Sequence, residues 1–226
     1  MISVYIIDTS IFIDEDKFLE AYETLSAERK KCVDKCGQIS AKRLSLGAGV
    51  VLEYGLRMLT MYSGKFDYGY GRKGKPYIIG YEDIFFNISH SGKYAICAFS
   101  DMELGADIEK IRDVKEGVIQ TVATQNEKDR LSNMSAEEKK SEFFRMWTIK
   151  ESYMKALGVG FELAPNKIET RTIDCINASS EGYDSHFFFK KYSIEDYKVC
   201  VCSKEKEFAQ NLCFVDIEKF IKKEGN

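Results

Sequence analysis

Residues 143–157 read FFRMWTIKESYMKAL, and the reading of this stretch decides the fold. At about 100° per residue, Met146, Ile149, Tyr153 and Leu157 fall on one face of a helix. Phe144, Glu151 and Lys155 fall on roughly the opposite face, with Trp147 beside them. A Glu and a Lys four residues apart are ordinarily a surface pair worth a few tenths of a kcal/mol. Here bulky apolar groups flank them on both sides, so the helix is expected inside the fold. The pattern extends back to residue 135, and Gly158 and Gly160 stop it.

Working outward, Thr124 and Glu127 have capping-box spacing for a helix start. A weak helix is expected over 116–123 and a strand over 104–109. Further strands fit 167–174, 186–192, 197–202 and 212–215. Towards the N-terminus, residues 2–7 suit a strand, 15–34 and 38–62 suit helices, and 77–79, 85–88 and 94–99 suit strands. Each half of the chain has a helix-rich front followed by strands. The expectation is an α+β protein of two similar α/β halves, 1–102 and 103–226. A ligand cleft belongs between them.

Composition narrows the function. Of 226 residues, 44% are hydrophobic, enough for a packed core. The 33 basic and 36 acidic side chains leave a net charge of −3, unlike a dedicated nucleic-acid binder. No run approaches the ~18 apolar residues of a membrane span, and the first residues lack the basic start of a secretory leader. A cytoplasmic monomer is expected. Seven cysteines without Cys-x-x-Cys spacing, and only two histidines, favour reduced thiols over a zinc site.

Three other stretches carry chemistry. On a strand, Asp107 and Glu109 share one face while Ile108 takes the other. Two adjacent carboxylates repel unless a cation lies between them, and their hard oxygens favour magnesium or calcium. Taken alone, the pair also fits an exposed polar face. Asn87-Ile88-Ser89-His90-Ser91 crowds hydrogen-bonding groups at an expected strand end, suited to phosphate oxygens. Residues 69–76, GYGRKGKP, nearly spell a phosphate loop, but Pro76 lacks the hydroxyl and N–H and a strand follows instead of a helix. The cations Arg72, Lys73 and Lys75 remain suited to a polyanion.

Together and in this order, four segments resemble the phosphopantetheinyl transferases, in their long, pseudo-dimeric class. They are Gly74-Lys75-Pro76, Phe86 to Ser91, Gly105-Ala106-Asp107-Ile108-Glu109, and Trp147-Thr148-Ile149-Lys150-Glu151-Ser152 ending at Lys155. The last two match the family's G-x-D and W-x-x-K-E-[SA]-x-x-K signatures, and the resemblance spans roughly residues 1–220. It implies two halves related by pseudo-twofold symmetry. It also implies transfer of the 4′-phosphopantetheine group of coenzyme A to a serine of an apo acyl or peptidyl carrier protein. In that reading Asp107, Glu109 and Glu151 hold Mg²⁺, and Glu151 or a water on the ion takes the serine proton. Lys155 stabilises the departing 3′,5′-ADP, and His90 holds the pyrophosphate. Ser89, Asn87 and Lys75 position the nucleotide, and Lys31 and Arg43 meet the adenosine phosphate. Glu28 stands where some members place a further lysine, which implies weaker binding of that phosphate or the use of Arg29 or Arg43 instead. Competing readings are a non-catalytic module binding coenzyme A or a carrier, and a Mg-dependent nucleotide phosphohydrolase.

Overall fold

The first strand is buried on both faces, and that decides the layering. In Ser3–Asp8 (β1), Tyr5 and Ile7 enter one apolar cluster and Val4 and Ile6 another. A strand enclosed in this way reads as a continuous apolar run. The computed structural model describes residues 1–62, 64–71, 74–170 and 186–222. After β1 come three helices, Glu15–Thr24 (α1), Ala27–Asp34 (α2) and Ile39–Thr60 (α3). A short hairpin follows, Tyr68–Tyr70 (β2) and Pro76–Ile78 (β3), then Phe85–Ser91 (β4) and Tyr94–Ser100 (β5). The second unit comprises Leu104–Lys110 (β6), Glu116–Val122 (α4), Gln125–Ser132 (α5), Ala136–Leu157 (α6), Phe188–Ile194 (β7) and Tyr197–Ser203 (β8). Cys213–Phe214 (β9) and Ile217–Lys222 (α7) complete the order.

The chain is α+β, and its two sheets share one connectivity. In the first, β4 and β5 form a hairpin and β5 pairs antiparallel with β1, from Ser3↔Phe99 to Asp8↔Tyr94. In the second, β7 and β8 form the hairpin and β8 pairs antiparallel with β6, from Leu104↔Ser203 to Lys110↔Tyr197. In both units the helix connecting the first strand to the hairpin region includes 22 residues in one piece, α3 or α6. The sheets meet face to face through Val4, Ile6, Ile96 and Ala98 on one side and Leu104, Ala106, Ile108 and Val201 on the other. On the outer faces, α3 covers Tyr5, Ile7 and Phe99, and α6 covers Cys200 and Cys202. Fully burying each such aliphatic side chain contributes about 1.5–3 kcal/mol.

Four differences from the sequence-based expectations have local causes. The helix expected over 15–34 is two helices. Ser26 caps α2, accepting from the Arg29 N–H, while its own N–H donates to the buried Glu53 carboxylate at 2.8 Å. The Asn87–Ser91 stretch is wholly strand, because the turn lies at Gly92 and Lys93, with Gly92 at φ +60°. The strand expected over 167–174 begins as a single 3₁₀ turn, Pro165–Lys167; residues 171–174 lie outside the described residues. The chain's end crosses back to the first unit: β9 pairs parallel with β1, and Ile217 and Phe220 of α7 join the core beneath α3. Among the described residues no helix is long and apolar enough to cross a membrane.

Candidate active site

The site is built on the contact between β6 and α6. Leu104, Ala106 and Ile108 enter the core between the sheets. Gly105, Asp107 and Glu109 alternate with them and take the other face, towards α6. Gly105 sets the distance: a Cβ there would stand 1.9 Å from the Ser152 carbonyl oxygen and 2.5 Å from the Ala156 nitrogen. Without a side chain at this position the helix backbone comes down onto the strand. Lys155 Nζ thereby reaches Asp107 Oδ1 at 2.6 Å and also donates to Ser89 Oγ (3.2 Å) and the Ala106 carbonyl (3.3 Å). The helix itself is fixed by a capping box, Ser135 with Glu138, and by Gly158 at φ 67°.

Strand β4 is joined to β6 by side chains. Asn87 Oδ1, Ser89 Oγ and Ser91 Oγ accept from the N–H groups of Ala106 (2.9 Å), Ile108 (3.3 Å) and Lys110 (3.1 Å). The two hydroxyls then donate to the acidic pair, Ser89 to Asp107 Oδ1 at 2.8 Å and Ser91 to Glu109 Oε2 at 2.7 Å. A polar residue at every second position of β4 thus supplies the bonds that a neighbouring backbone would supply in an ordinary ladder. Asn87 and Ser89, assigned from sequence to the nucleotide, bond within this seam, and Ser89 also lines the cleft beside it.

Beside the seam lies a cleft of about 510 Å³. Its first-unit wall includes Arg29, Ser45 and His90; its second-unit wall includes Asp107, Glu109, Trp147, Glu151 and Lys155. Burial raises the Asp107 pKa, against the pull of the Lys155 ammonium. Burial, and then the neighbouring Asp107, push Glu151 up to about 7. His90, largely exposed, lines the same cleft, and its pKa is lowered by desolvation and then by Lys155 and Arg29. Glu109 Oε2 also accepts from Arg112 at 2.9 Å. Three buried polar atoms of the cleft residues have no protein partner: Asp107 Oδ2, Glu151 Oε1 and Arg29 Nε.

The carboxylates share the cleft without forming a finished metal cage. Among the described residues no group of three His, Cys, Asp or Glu side chains is drawn together closely enough to hold an ion. Lys155 holds one oxygen of Asp107, and Ser91 and Arg112 hold one of Glu109. The donor chemistry still suits a hard cation, because Asp107 Oδ2 and Glu151 Oε1 are buried carboxylate oxygens without partners.

Of the other residues singled out from sequence, Lys75 and Asn87 line an adjoining pocket of about 210 Å³ with Glu151 and Lys155. Lys75 Nζ donates to the carbonyls of Leu104 (3.2 Å), Lys155 (2.9 Å) and Ala156 (3.2 Å), closing the C-terminal end of α6. Lys31 is exposed with its ammonium 4.0 Å from Glu28, and Arg43 donates to the Phe12 carbonyl at 3.0 Å; neither lines the cleft. Arg72 and Lys73 lie outside the described residues. Arg29 does line the cleft, with Nη2 3.4 Å from the Ser45 carbonyl. The sequence signal for its placement was the Ser26 cap, which starts a new helix and puts Arg29 in its first turn.

A family model described as the 4′-phosphopantetheinyl transferase superfamily matches residues 103–202, the stretch holding β6 and α6. The chain is 29% identical over 197 residues to the 4′-phosphopantetheinyl transferase Sfp of Bacillus subtilis (strain 168), covering 86% of this chain and 88% of that protein. It is 29% identical over 212 residues to the 4′-phosphopantetheinyl transferase gsp of Aneurinibacillus migulanus, 90% of this chain and 86% of that one. Over 111 residues it is 32% identical to the L-aminoadipate-semialdehyde dehydrogenase-phosphopantetheinyl transferase of Xenopus laevis, covering 43% and 37% of the two chains. These similarities run through the glycine, the acidic strand and the helix that form the cleft, and over residues 103–202 the chain is similar to the 4′-phosphopantetheinyl transferase superfamily.

Proposed function

We propose that this chain transfers the phosphopantetheine arm of coenzyme A to a serine hydroxyl of an apo acyl or peptidyl carrier protein. The observation carrying the proposal is that Asp107 and Glu109 of β6 line one cleft with Glu151 and Lys155 of α6, opposite Arg29 and His90. Three acidic groups and an ammonium on one wall, with the Arg29 guanidinium and the His90 imidazole on the other, suit a reaction between a hydroxyl and a diphosphate.

In this reading Asp107, Glu109 and Glu151 would hold Mg²⁺, which supplies charge neutralisation on the pyrophosphate. The protein's own groups do the rest. Arg29 and His90 hold the anionic co-substrate. Glu151, whose carboxyl is pushed up to about 7 by burial and Asp107 in the ion-free cleft, is placed to take the serine proton. A bond forms between the serine oxygen and the phosphorus carrying the pantetheine arm. The bond from that phosphorus to the bridging oxygen breaks, and 3′,5′-ADP leaves with the electron pair. Lys155, released from Asp107, meets the charge on the leaving phosphate. Most of the acceleration comes from positioning and electrostatics, as in other phosphoryl transfers.

The two units of equal connectivity are read as halves related by an approximate twofold rotation, in a cytoplasmic monomer. The test is intact mass spectrometry of several apo-carriers after incubation with the protein, coenzyme A and Mg²⁺. The expected result is a gain of one phosphopantetheine group, abolished by EDTA. Binding of coenzyme A without loading would instead favour a binding module. Release of nucleotide product without any carrier would favour a phosphohydrolase.

A further inference from the structure

We propose that Lys150 is a positioning residue whose buried ion pair with Glu127 sets the direction in which α6 presents Glu151. The inference rests on the transferase reading above. Both partners of the pair are fully buried, at 0% exposure. Lys150 Nζ donates to Glu127 Oε2 at 2.5 Å and to the Val122 carbonyl, at the end of α4, at 2.8 Å. Glu127 Oε2 also accepts from the Thr124 N–H (2.9 Å), and its Oε1 accepts from the Thr170 N–H (2.9 Å) and hydroxyl (2.5 Å). Arg130 bonds the Thr170 carbonyl at 3.0 Å, fastening the same segment again. Two buried ions are tolerated only when their bonds are satisfied in this manner.

None of these residues lines the cleft, yet Lys150 immediately precedes Glu151. The apolar contacts of α6, through Ile149 and Tyr153 on one side and Phe143, Phe144 and Met146 on another, are non-directional and permit small rotations. Within the cleft, Glu151 Oε1 has no protein partner to orient it. A directed bond from the preceding residue to a fixed carbonyl and a fixed carboxylate supplies what packing lacks. Turning Lys150 turns Glu151 with it, since successive residues of a helix keep a constant angle.

The test compares the full-length wild type with Lys150→Met and with the double variant Glu127→Leu/Lys150→Met. Replacing a buried pair by apolar groups of similar size often preserves stability, so the double variant separates folding from positioning. The double variant is expected to melt within a few degrees of wild type. It should keep its Kd and KM for coenzyme A while kcat for carrier loading falls on the order of tenfold to a hundredfold. Wild-type turnover in the double variant, or coenzyme A binding lost in parallel with turnover, would overturn the proposal. If the double variant does not fold, Glu127→Gln, which keeps the shape and removes the charge, is read by the same two criteria. Failure of the wild type to load any carrier would fault the transferase reading, before any variant is compared.

Discussion

Lys155 Nζ lies 2.6 Å from Asp107 Oδ1, so the ammonium of α6 is the counter-ion of the most deeply buried carboxylate of the cleft. The pair ties helix to strand at the point where Gly105 lets them approach. Its side chains are unequal, Lys155 at 28% exposure and Asp107 at 5%, so the carboxylate depends on the lysine more than the reverse.

Lys155→Met should therefore lower stability as well as turnover. Leaving Asp107 buried without its cation is expected to cost about 3–5 kcal/mol near pH 7. The loss should shrink in acid, because protonated Asp107 needs no counter-ion. Urea unfolding in EDTA at pH 5 and pH 8 checks this. Equal stability of variant and wild type at pH 8 would show that the ion pair holds nothing together.

Gly105→Ala tests the close approach. The added carbon would meet helix backbone, which has no rotamer to offer, so α6 must move off β6. Overpacking of this kind costs about 1–3 kcal/mol. The larger effect is expected on loading of a carrier, because the shift carries Glu151 and Lys155 away from Asp107. A thermal melt and a single-turnover assay on one preparation separate the two effects. Full activity would mean that the strand and helix tolerate a wider spacing.

Lys75→Ala asks whether this lysine serves the fold or the co-substrate. Two of its three carbonyl bonds close the last turn of α6 and the third reaches Leu104 of β6, and their loss should destabilise the protein by about 1–2 kcal/mol with no ligand present. Burial lowers the Lys75 pKa, against the pull of the Glu103 carboxylate. A variant as stable as wild type but with a raised Kd for coenzyme A would reassign Lys75 to the nucleotide.

The strand and helix that carry the cleft were legible because each has its own period. Asp107 and Glu109 two apart, and Glu151 and Lys155 four apart, declare their faces without reference to the rest of the chain. What was illegible depended on partners distant in sequence. The break at Ser26 is fixed by Glu53, 27 residues on. That Asn87, Ser89 and Ser91 accept from another strand's N–H groups could not be read locally, because nothing nearby in sequence says what lies opposite. The bonds of Lys75 were hidden in the same way, since its acceptors are as many as 81 residues away. Lys150 and Glu127 gave no sign of pairing, since a Lys on a helix and a capping Glu are each complete as local features.

Glu151 gives a pH dependence with a definite sign. Its folded pKa is about 7, raised by burial and by Asp107, against an unfolded value of about 4.3. Between these values the folded chain keeps a proton that the unfolded chain has released. The stability linked to that proton is fully present below about pH 4.3 and is lost as pH rises through about 7. Allowing for partial solvent contact, the loss amounts to about 2 kcal/mol. Glu151→Gln cannot ionise and should not show this loss. In EDTA the variant should therefore become more stable than wild type by about that amount at pH 8, relative to their difference at pH 4. Denaturant titrations at several pH values provide the comparison. If the difference stays constant from pH 4 to pH 8, Glu151 ionises like a solvated carboxylate, and its assignment as a base poised near neutrality fails.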